Sequence, residues 1–462
     1  MKTDRQTRPF GWRDKVGYLF GDFGNDFTFI FSSSFLLKFY TDVMGVSAAA
    51  VGVIMMIARF VDAFTDVTMG RICDRSRITP VGKFKPWIRR MCGPVAIASF
   101  LIYQSRLAHM PMAFKIGYLF VTYILWGSVF YTAINIPYGS MASAISPEAG
   151  DRQSLSTYRS IGAALAGMFI GAGVPLVAYD KVNGATVLNG GRFTLIAGVF
   201  SLLALVCYII CYALTTERVQ VEVSREARER NNFATMIKNA VVNRALISII
   251  VASVVMLLSQ FTLQSMSNYI YPNYYGNTQA QAVSTLLMTV SMLVAAAFAK
   301  PLSKKFGKAE ISIVANIVAA VMSFLLFFWR PQSVWVYVGV TTVSWVGLGL
   351  FSMVNWALIT DVIDYSELKN GIREDGTVYA LYSFARKLGQ AAAAGVSGGL
   401  LTFIGYSELT AFDKNVVEGI FDISTIIPAI GFFVLALILW FWYPLHKKQV
   451  EENIRRLKEK RG

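Results

Sequence analysis

Residues 58–75 read ARFVDAFTDVTMGRICDR. The stretch is built mainly of apolar residues, yet Asp62 and Asp66 stand in it one helical turn apart. A carboxylate at membrane depth costs roughly 2.5–3.5 kcal/mol on insertion scales, so such residues face a polar cavity, pair with a cation or carry ions. Residues 17–29, GYLFGDFGNDFTF, repeat the arrangement with Asp22 and Asp26. Outward from these two segments, long apolar runs recur from Val16 to the region of Tyr443, separated by short polar breaks. About twelve are counted, each of roughly 20 residues, enough to cross a hydrocarbon core of about 30 Å. Backbone polar groups in lipid must satisfy one another, so runs of this kind are helices. The fold class expected is an all-α membrane protein with twelve transmembrane helices.

The 462 residues are 55% hydrophobic and carry a net charge of +15. The basic residues follow the loops. They precede the first helix (Lys2, Arg5, Arg8, Arg13, Lys15), recur after the second (Arg71 to Arg90), between the sixth and seventh (Arg218 to Arg244), after the eighth (Lys300 to Lys308), and in the tail after Tyr443. Alternate loops are poor in them, and residues 271–281 have none. The positive-inside rule therefore places both termini in the cytoplasm with an even number of spans. The excess of charge is topology with some attraction to anionic lipid, not a nucleic-acid surface. Cys73, Cys92, Cys207 and Cys211 show no metal-ligand spacing and read as packing residues. The polar, basic start has no small-residue cleavage site, so the first span is expected to act as an uncleaved signal.

Four regions are expected: a six-helix bundle over 1–214, a charged cytoplasmic linker over 215–244, a second six-helix bundle over 245–445, and a basic cytoplasmic tail over 446–462. An internal repeat supports the division. Gly167 and Gly171 follow Arg159 at the same spacing as Gly395 and Gly399 follow Lys387, and the pair Gly82-Lys83 recurs as Gly307-Lys308. Small residues four apart allow close helix packing. Their recurrence in two six-helix halves points to a duplicated transporter fold.

Arg59, Asp62 and Asp66 share one helix face, with Thr65 beside them. Two carboxylates and a hydroxyl suit a small hard cation, and two close carboxylates also hold a proton well. The coupling ion expected is Na⁺ or H⁺, with Li⁺ admissible; in the Na⁺ case Asp62 and Asp66 form the monovalent metal site. The alternative is a structural ion pair with Arg59. In the first helix, Asp26 can accept from two sugar hydroxyls. The fourth helix adds Trp126, Tyr131, Thr132, Asn135 and Tyr138, and the fifth adds Arg159, a candidate partner for Asp26. An amide beside Pro137 marks an irregular, polar helix. For the aromatics, packing is the alternative. In the second half, Asp361, Asp364 and Arg373 are expected to act in gating, while Trp356 and Lys387 lie deeper and can reach a substrate.

At these residues the chain resembles the glycoside–pentoside–hexuronide:cation symporters. The pieces that carry the resemblance are YLFGDFGNDF (18–27), FYTDVMG (39–45), residues 58–75, GKFKPW (82–87), INIPYGS (134–140), DRQSLSTYR (151–159) and NWALITDVIDYSELKNGIREDG (355–376). The resemblance implies the major facilitator fold, two pseudo-symmetric six-helix bundles. It also implies that Asp62 and Asp66 are the cation-binding acids joined by the Thr132 hydroxyl, that Asp26 and Arg159 bind sugar, and that Lys387 lines the same cavity. The chain departs from the melibiose-type pattern at Asn135, where that pattern has an acid, at Gly139, where it has a tryptophan, and at Thr65, where it has an amide. The aromatic plate is then sought at Trp356 or Tyr138.

The function expected is secondary active symport of a sugar or glycoside with a cation, leaning to glucuronides or related acidic sugars, by alternating access. The alternatives are a neutral oligosaccharide or pentoside symporter, or an exporter or lipid carrier of the same fold. No bond is made or broken, so no enzyme and no cofactor is expected. The partners are the sugar, the coupling cation and membrane lipid, with no nucleic acid and with a monomer sufficing. The expected location is a bacterial-type cytoplasmic (inner) membrane.

Overall fold

The structure is a computed structural model that describes residues 8–219, 243–370 and 375–461. Arg373, and positions 220–242 of the linker expected over 215–244, lie outside the described residues. The chain divides into two compact units, Met1–Ser224 and Arg225–Gly462.

The first unit holds six long helices: α1 Trp12–Asp42, α2 Ala48–Arg75, α3 Lys85–Ile102, α4 Met112–Ile145, α5 Ala149–Val177 and α6 Gly190–Leu214. The second holds α7 Arg244–Tyr269, α8 Thr278–Phe306, α9 Lys308–Trp329, α10 Val334–Asn370, α11 Asp375–Phe403 and α12 Lys414–Leu437, followed by the tail helix α13 Lys447–Arg461. Among the described residues, nine of the long helices meet a strict test of length and apolarity for crossing a membrane. α1, α3 and α11 fall outside it. α1 carries Asp14, Asp22, Asp26 and Lys38 along its length, α3 opens on Lys85, Arg89 and Arg90, and α11 holds Arg386 and Lys387. Large apolar side chains such as Phe64, Leu195 and Phe328 point outward, as hydrocarbon requires and water would not favour.

The two units share one packing scheme. In the first, α1 packs on α5 and α6, α3 on α4 and α6, and α2 on α4. In the second, α7 packs on α11 and α12, α9 on α10 and α12, and α8 on α10. Each of these contacts recurs six helices later, so the fold repeats internally, as the sequence implied. The expected small-residue face on α5 is shifted, however. A side chain added at Gly167 would meet Ile30 Cδ1 at an ordinary 3.7 Å, whereas one at Gly162 would come within 2.5 Å of the Leu19 carbonyl of α1. The close approach belongs to Gly162.

Helix starts are capped where the chain re-enters a helix. Asn189 accepts from the Arg192 amide, Asn243 from Ala245 and Leu246, and Asn277 from Ala280. α4 is interrupted by a π-helical turn over Leu125–Tyr131. The sequence placed the irregularity of this helix at Pro137; it lies about two to three turns earlier, and the helix is regular from Thr132 to Ile145. A short hairpin, β1 Tyr179–Val182 with β2 Ala185–Leu188, joins α5 to α6. Its turn is Asn183-Gly184, both at positive φ, a signal legible in the sequence that the helical reading passed over.

At the end of the first unit that bears the basic loops, residues 215–219 form a strap. The Glu217 carboxylate accepts from the amides of Lys83, Phe84 and Lys85 at 2.7–2.9 Å, satisfying the open start of α3. Arg218 donates to Asp14 at 2.9 Å and to the carbonyls of Arg8, Pro9 and Ile145. Asp14 is fully buried and also pairs with Arg8 at 3.0 Å. The strap thus ties α1, α3, α4 and α6 together. The second unit has a counterpart with the roles reversed. Glu310, in the first turn of α9, accepts from the amide of Lys447 just after the α12 segment at 2.8 Å. Both arrangements need the glycine of the repeated Gly-Lys pair. Gly82 and Gly307 sit at φ +119° and +104°, and a side chain on either would strike the neighbouring carboxylate.

Glu217→Ala strands three amide donors, each worth on the order of 1–3 kcal/mol when left unpaired and buried. The expected outcome is a clear fall in the melting temperature of the detergent-solubilised protein, with Glu217→Gln falling less because one carbonyl oxygen remains. A melting curve unchanged by Glu217→Ala would show that the strap does not hold the bundle.

Candidate functional site

Two polar clusters lie in the first unit, and α4 runs through both. In the first cluster, α2 presents Asp62 and Asp66, and α4 presents Ser128 and Thr132. Ser128 donates to Asp62 Oδ1 at 2.5 Å, and Thr132 donates to Asp66 Oδ1 at 2.9 Å. Arg59 pairs with the other Asp62 oxygen, Oδ2, at 3.4 Å. The sequence posed a cation site against a structural pair with Arg59; the Arg59 bond engages one oxygen only, while the other faces α4. Arg59 is itself held by Ser33 at 3.2 Å and by the Phe29 ring at 4.6 Å, and Phe29 stacks on Tyr131. The Thr65 hydroxyl donates to the Asp62 backbone carbonyl at 3.2 Å. It supports the helix at that point instead of offering its hydrogen to a carboxylate. The π-helical turn spans Ser128 and ends beside Thr132, whose hydroxyl oxygen lies 3.2 Å from the Gly127 carbonyl. The result is a set of carboxylate and hydroxyl oxygens of the kind that hard cations or protons take.

The second cluster is built from α1, α4, α5 and α6. Arg159 donates through Nε to Asp22 Oδ1 at 2.9 Å. The expected partner was Asp26; the bond forms one turn earlier on α1. Asp26 is half-buried and makes no hydrogen bond or ion pair among the described residues, which leaves its oxygens available. Asn135 accepts from Asn25 at 3.3 Å, and Asn25 accepts from Tyr208 at 2.9 Å. Tyr138 lies flat against Tyr18, ring centres 4.6 Å apart, and donates to the Tyr18 carbonyl at 2.6 Å. The Arg159 guanidinium sits 5.4 Å from the Tyr138 ring centre. Tyr138 is 1% exposed, so it positions Arg159 and does not present an open plate here.

In the second unit, Trp356 on α10 is 42% exposed and meets Tyr382 edge-on at 5.1 Å. Lys387 is half-buried on α11. Asp361 is paired inside its own unit, with Lys308 at 2.5 Å, which ties the start of α9 to α10. Asp364 lies one turn further along α10, half-buried.

Sequence reasoning missed Ser128, Asn25, Tyr18 and Tyr208. Ser128 had a signal, since Ser128 and Thr132 repeat on α4 the four-residue spacing of Asp62 and Asp66 on α2. Asn25 and Tyr208 had none, because an amide and a phenol 183 residues apart meet only through the packing of α1 on α6.

Residues 17–447 match the family described as MFS/sugar transport protein. The chain belongs to this family. A sugar-transport protein of the major facilitator superfamily is a multi-pass membrane transporter and not an enzyme. The chain is 31% identical to a glucuronide carrier protein homolog of Escherichia coli (strain K12), over 97% of this chain and 95% of that one. It is 28% identical to a putative sulfoquinovose importer of the same organism, over 99% and 96%. A solved D-xylose-proton symporter superposes with a TM-score of 0.65 at 14% identity, over 93% of this chain and 97% of that one, which is a likeness of fold.

The transporter's α1–α4 contact leaves no room at Gly21, where an added Cβ would run into the Tyr138 ring. Gly21→Ala is therefore expected to cost about 1–3 kcal/mol, as overpacking does. Adding Tyr138→Phe should not relieve the loss, because the clash is with ring carbons, whereas Tyr138→Leu should recover part of it. Thermal unfolding of the three variants in detergent checks the order.

Proposed function

We propose that the transporter carries a sugar or glycoside into the cell together with a cation, Na⁺ or H⁺, by alternating access, with a lean to glucuronides and related acidic sugars. The observation that carries this reading is the shared helix. α4 contributes Ser128 and Thr132 to the acid pair of α2, and Asn135 and Tyr138 to the cluster around Arg159. A cation at Asp62 and Asp66 relieves the repulsion between two carboxylates. Any shift of α4 that follows is felt at Asn135 and Tyr138, which gives a coupling free energy between two adjacent sites. Asp26, with its oxygens unused, accepts from sugar hydroxyls, and Asn135 and Arg159 complete the polar set. Trp356 and Lys387 are assigned to the substrate as well, Trp356 as the plate for an apolar sugar face. Asp361, Asp364 and Arg373 are assigned to gating. The membrane potential adds roughly 2.3 kcal/mol per charge per 100 mV to inward cation movement.

The names of the two relatives support the acidic lean, since a glucuronide and a sulfoquinovose each carry an anionic group. A neutral glycoside is the second reading, and the Asp22–Arg159 bond favours it, because that bond already offsets the charge of Arg159. The basic loops support an inner-membrane protein with both termini in the cytoplasm, and nothing in the mechanism requires more than a monomer.

The test is uptake of a labelled glucuronide into proteoliposomes with and without an inward Na⁺ gradient, at fixed pH and potential, beside a neutral galactoside. Stimulation by Na⁺ assigns that ion, and stimulation by a pH gradient alone assigns protons to the same acids. Uptake that ignores both gradients would sink the symport reading. Asp62→Asn is expected to abolish accumulation against a gradient while exchange persists. Arg159→Ala is expected to weaken sugar binding by roughly tenfold or more, the scale of a lost charge-assisted hydrogen bond.

A further inference from the structure

α11 carries a polar stripe at helical spacing: Ser383, Arg386, Lys387 and Gln390. Ser383 is exposed and the other three are half-buried. On a helix of a membrane bundle, such a stripe faces a water-filled space and not lipid. Opposite it, α10 turns Met353, Trp356 and Thr360 outward. Arg386 reaches from α11 across to α10. Its guanidinium lies 5.6 Å from the ring centre of Trp356 and 5.8 Å from that of Tyr382. Its Nη1 donates to the Tyr382 hydroxyl at 3.3 Å. Tyr382 is in turn fixed by Ser253, which donates to the same hydroxyl at 3.1 Å, and by Asn355, which is fully buried.

This support is uncharged. No carboxylate comes within ion-pair distance of Arg386 among the described residues. The contrast with Arg159 is direct, since Arg159 has Asp22. A guanidinium set over aromatic faces, with one Nη on a tyrosine hydroxyl, keeps its remaining N–H groups for a planar or tetrahedral oxyanion. The neighbouring indole suits the C–H face of a pyranose ring.

We propose that Arg386, laid against Trp356, is the group that recognises the anionic substituent of the sugar, a carboxylate or a sulfonate. This rests on the acidic-sugar reading above and assigns its selectivity to a residue outside the set expected from the sequence. Arg386 then separates an acidic sugar from its neutral counterpart.

The experiment uses the full-length protein in lipid nanodiscs and two probes, p-nitrophenyl β-D-glucuronide and p-nitrophenyl β-D-glucoside, which differ only at C6. Calorimetric titration gives both affinities. The wild type is expected to prefer the glucuronide. Arg386→Gln should lower glucuronide affinity by roughly tenfold to hundredfold, the loss of a paired charge-assisted contact, while glucoside affinity stays within about twofold. Arg386→Lys, which keeps the charge without the fork, should recover only part of the preference, and it serves as the readout if Arg386→Gln does not fold. Trp356→Phe should weaken both sugars together. A wild-type ratio retained by Arg386→Gln, or by Arg386→Lys where that variant is the readout, overturns the assignment of Arg386 and leaves the acidic-sugar reading standing. A wild type that binds the glucoside as tightly, or binds neither probe, removes the acidic-sugar reading and the assignment with it.

Discussion

The constraint on which this structure depends is that a charge inside a membrane bundle must be answered by other protein groups or by a water-filled cavity, because lipid cannot do it. The first unit answers its acids in graded ways. Asp14 is fully enclosed by Arg8, Arg218 and two backbone amides, and is purely structural. Asp22 is tied to one arginine whose side chain remains partly open. Asp62 is divided between Arg59 and a serine, and Asp66 is met by the hydroxyl of Thr132. Asp26 is the least engaged. The series runs from locked to available, and the available end is where a transported ion or sugar can add an interaction that the resting bundle lacks.

The duplication gives a second layer to the same logic. Identical packing schemes in the two units place corresponding helices in corresponding positions, yet the chemistry on them differs. The α1–α5 interface carries Asp22 and Arg159, while the α7–α11 interface carries Ser253 and Tyr382. A fold that repeats its scaffold without repeating its side chains can divide cation binding from substrate selection.

Much of the fold was legible because the signals were long and local. Apolar runs, loop charges and the Gly-Lys repeat each extend over a whole segment or recur with a period. The acid-bearing helices and the candidates Asp62, Asp66, Thr132, Asn135 and Arg159 were legible for the same reason, since polar residues in apolar runs stand out. Pairing was not legible. Whether Arg159 meets Asp22 or Asp26 depends on one helical turn of register between α1 and α5, and a sequence does not fix that register. The anchoring of residues 215–219 was hidden too, because a charged stretch after a span reads as solvated linker until Glu217 is seen on the amides of α3. The hairpin at Asn183-Gly184 was legible and was passed over in favour of the helical pattern around it.

The π-helical turn in α4 has an evolutionary side. One extra residue in a helix rotates everything beyond it by about 100°, the angle of a single position in a 3.6-residue turn. The part of α4 before Leu125 packs on α2 and α3, and the part after Tyr131 carries Thr132, Asn135 and Tyr138. An insertion at this turn re-phases the second part against the first without altering either packing surface. The angular relation between Ser128 and the group Thr132, Asn135 and Tyr138 is thus a quantity that a single codon gained or lost can reset, separately from any change in the residues themselves.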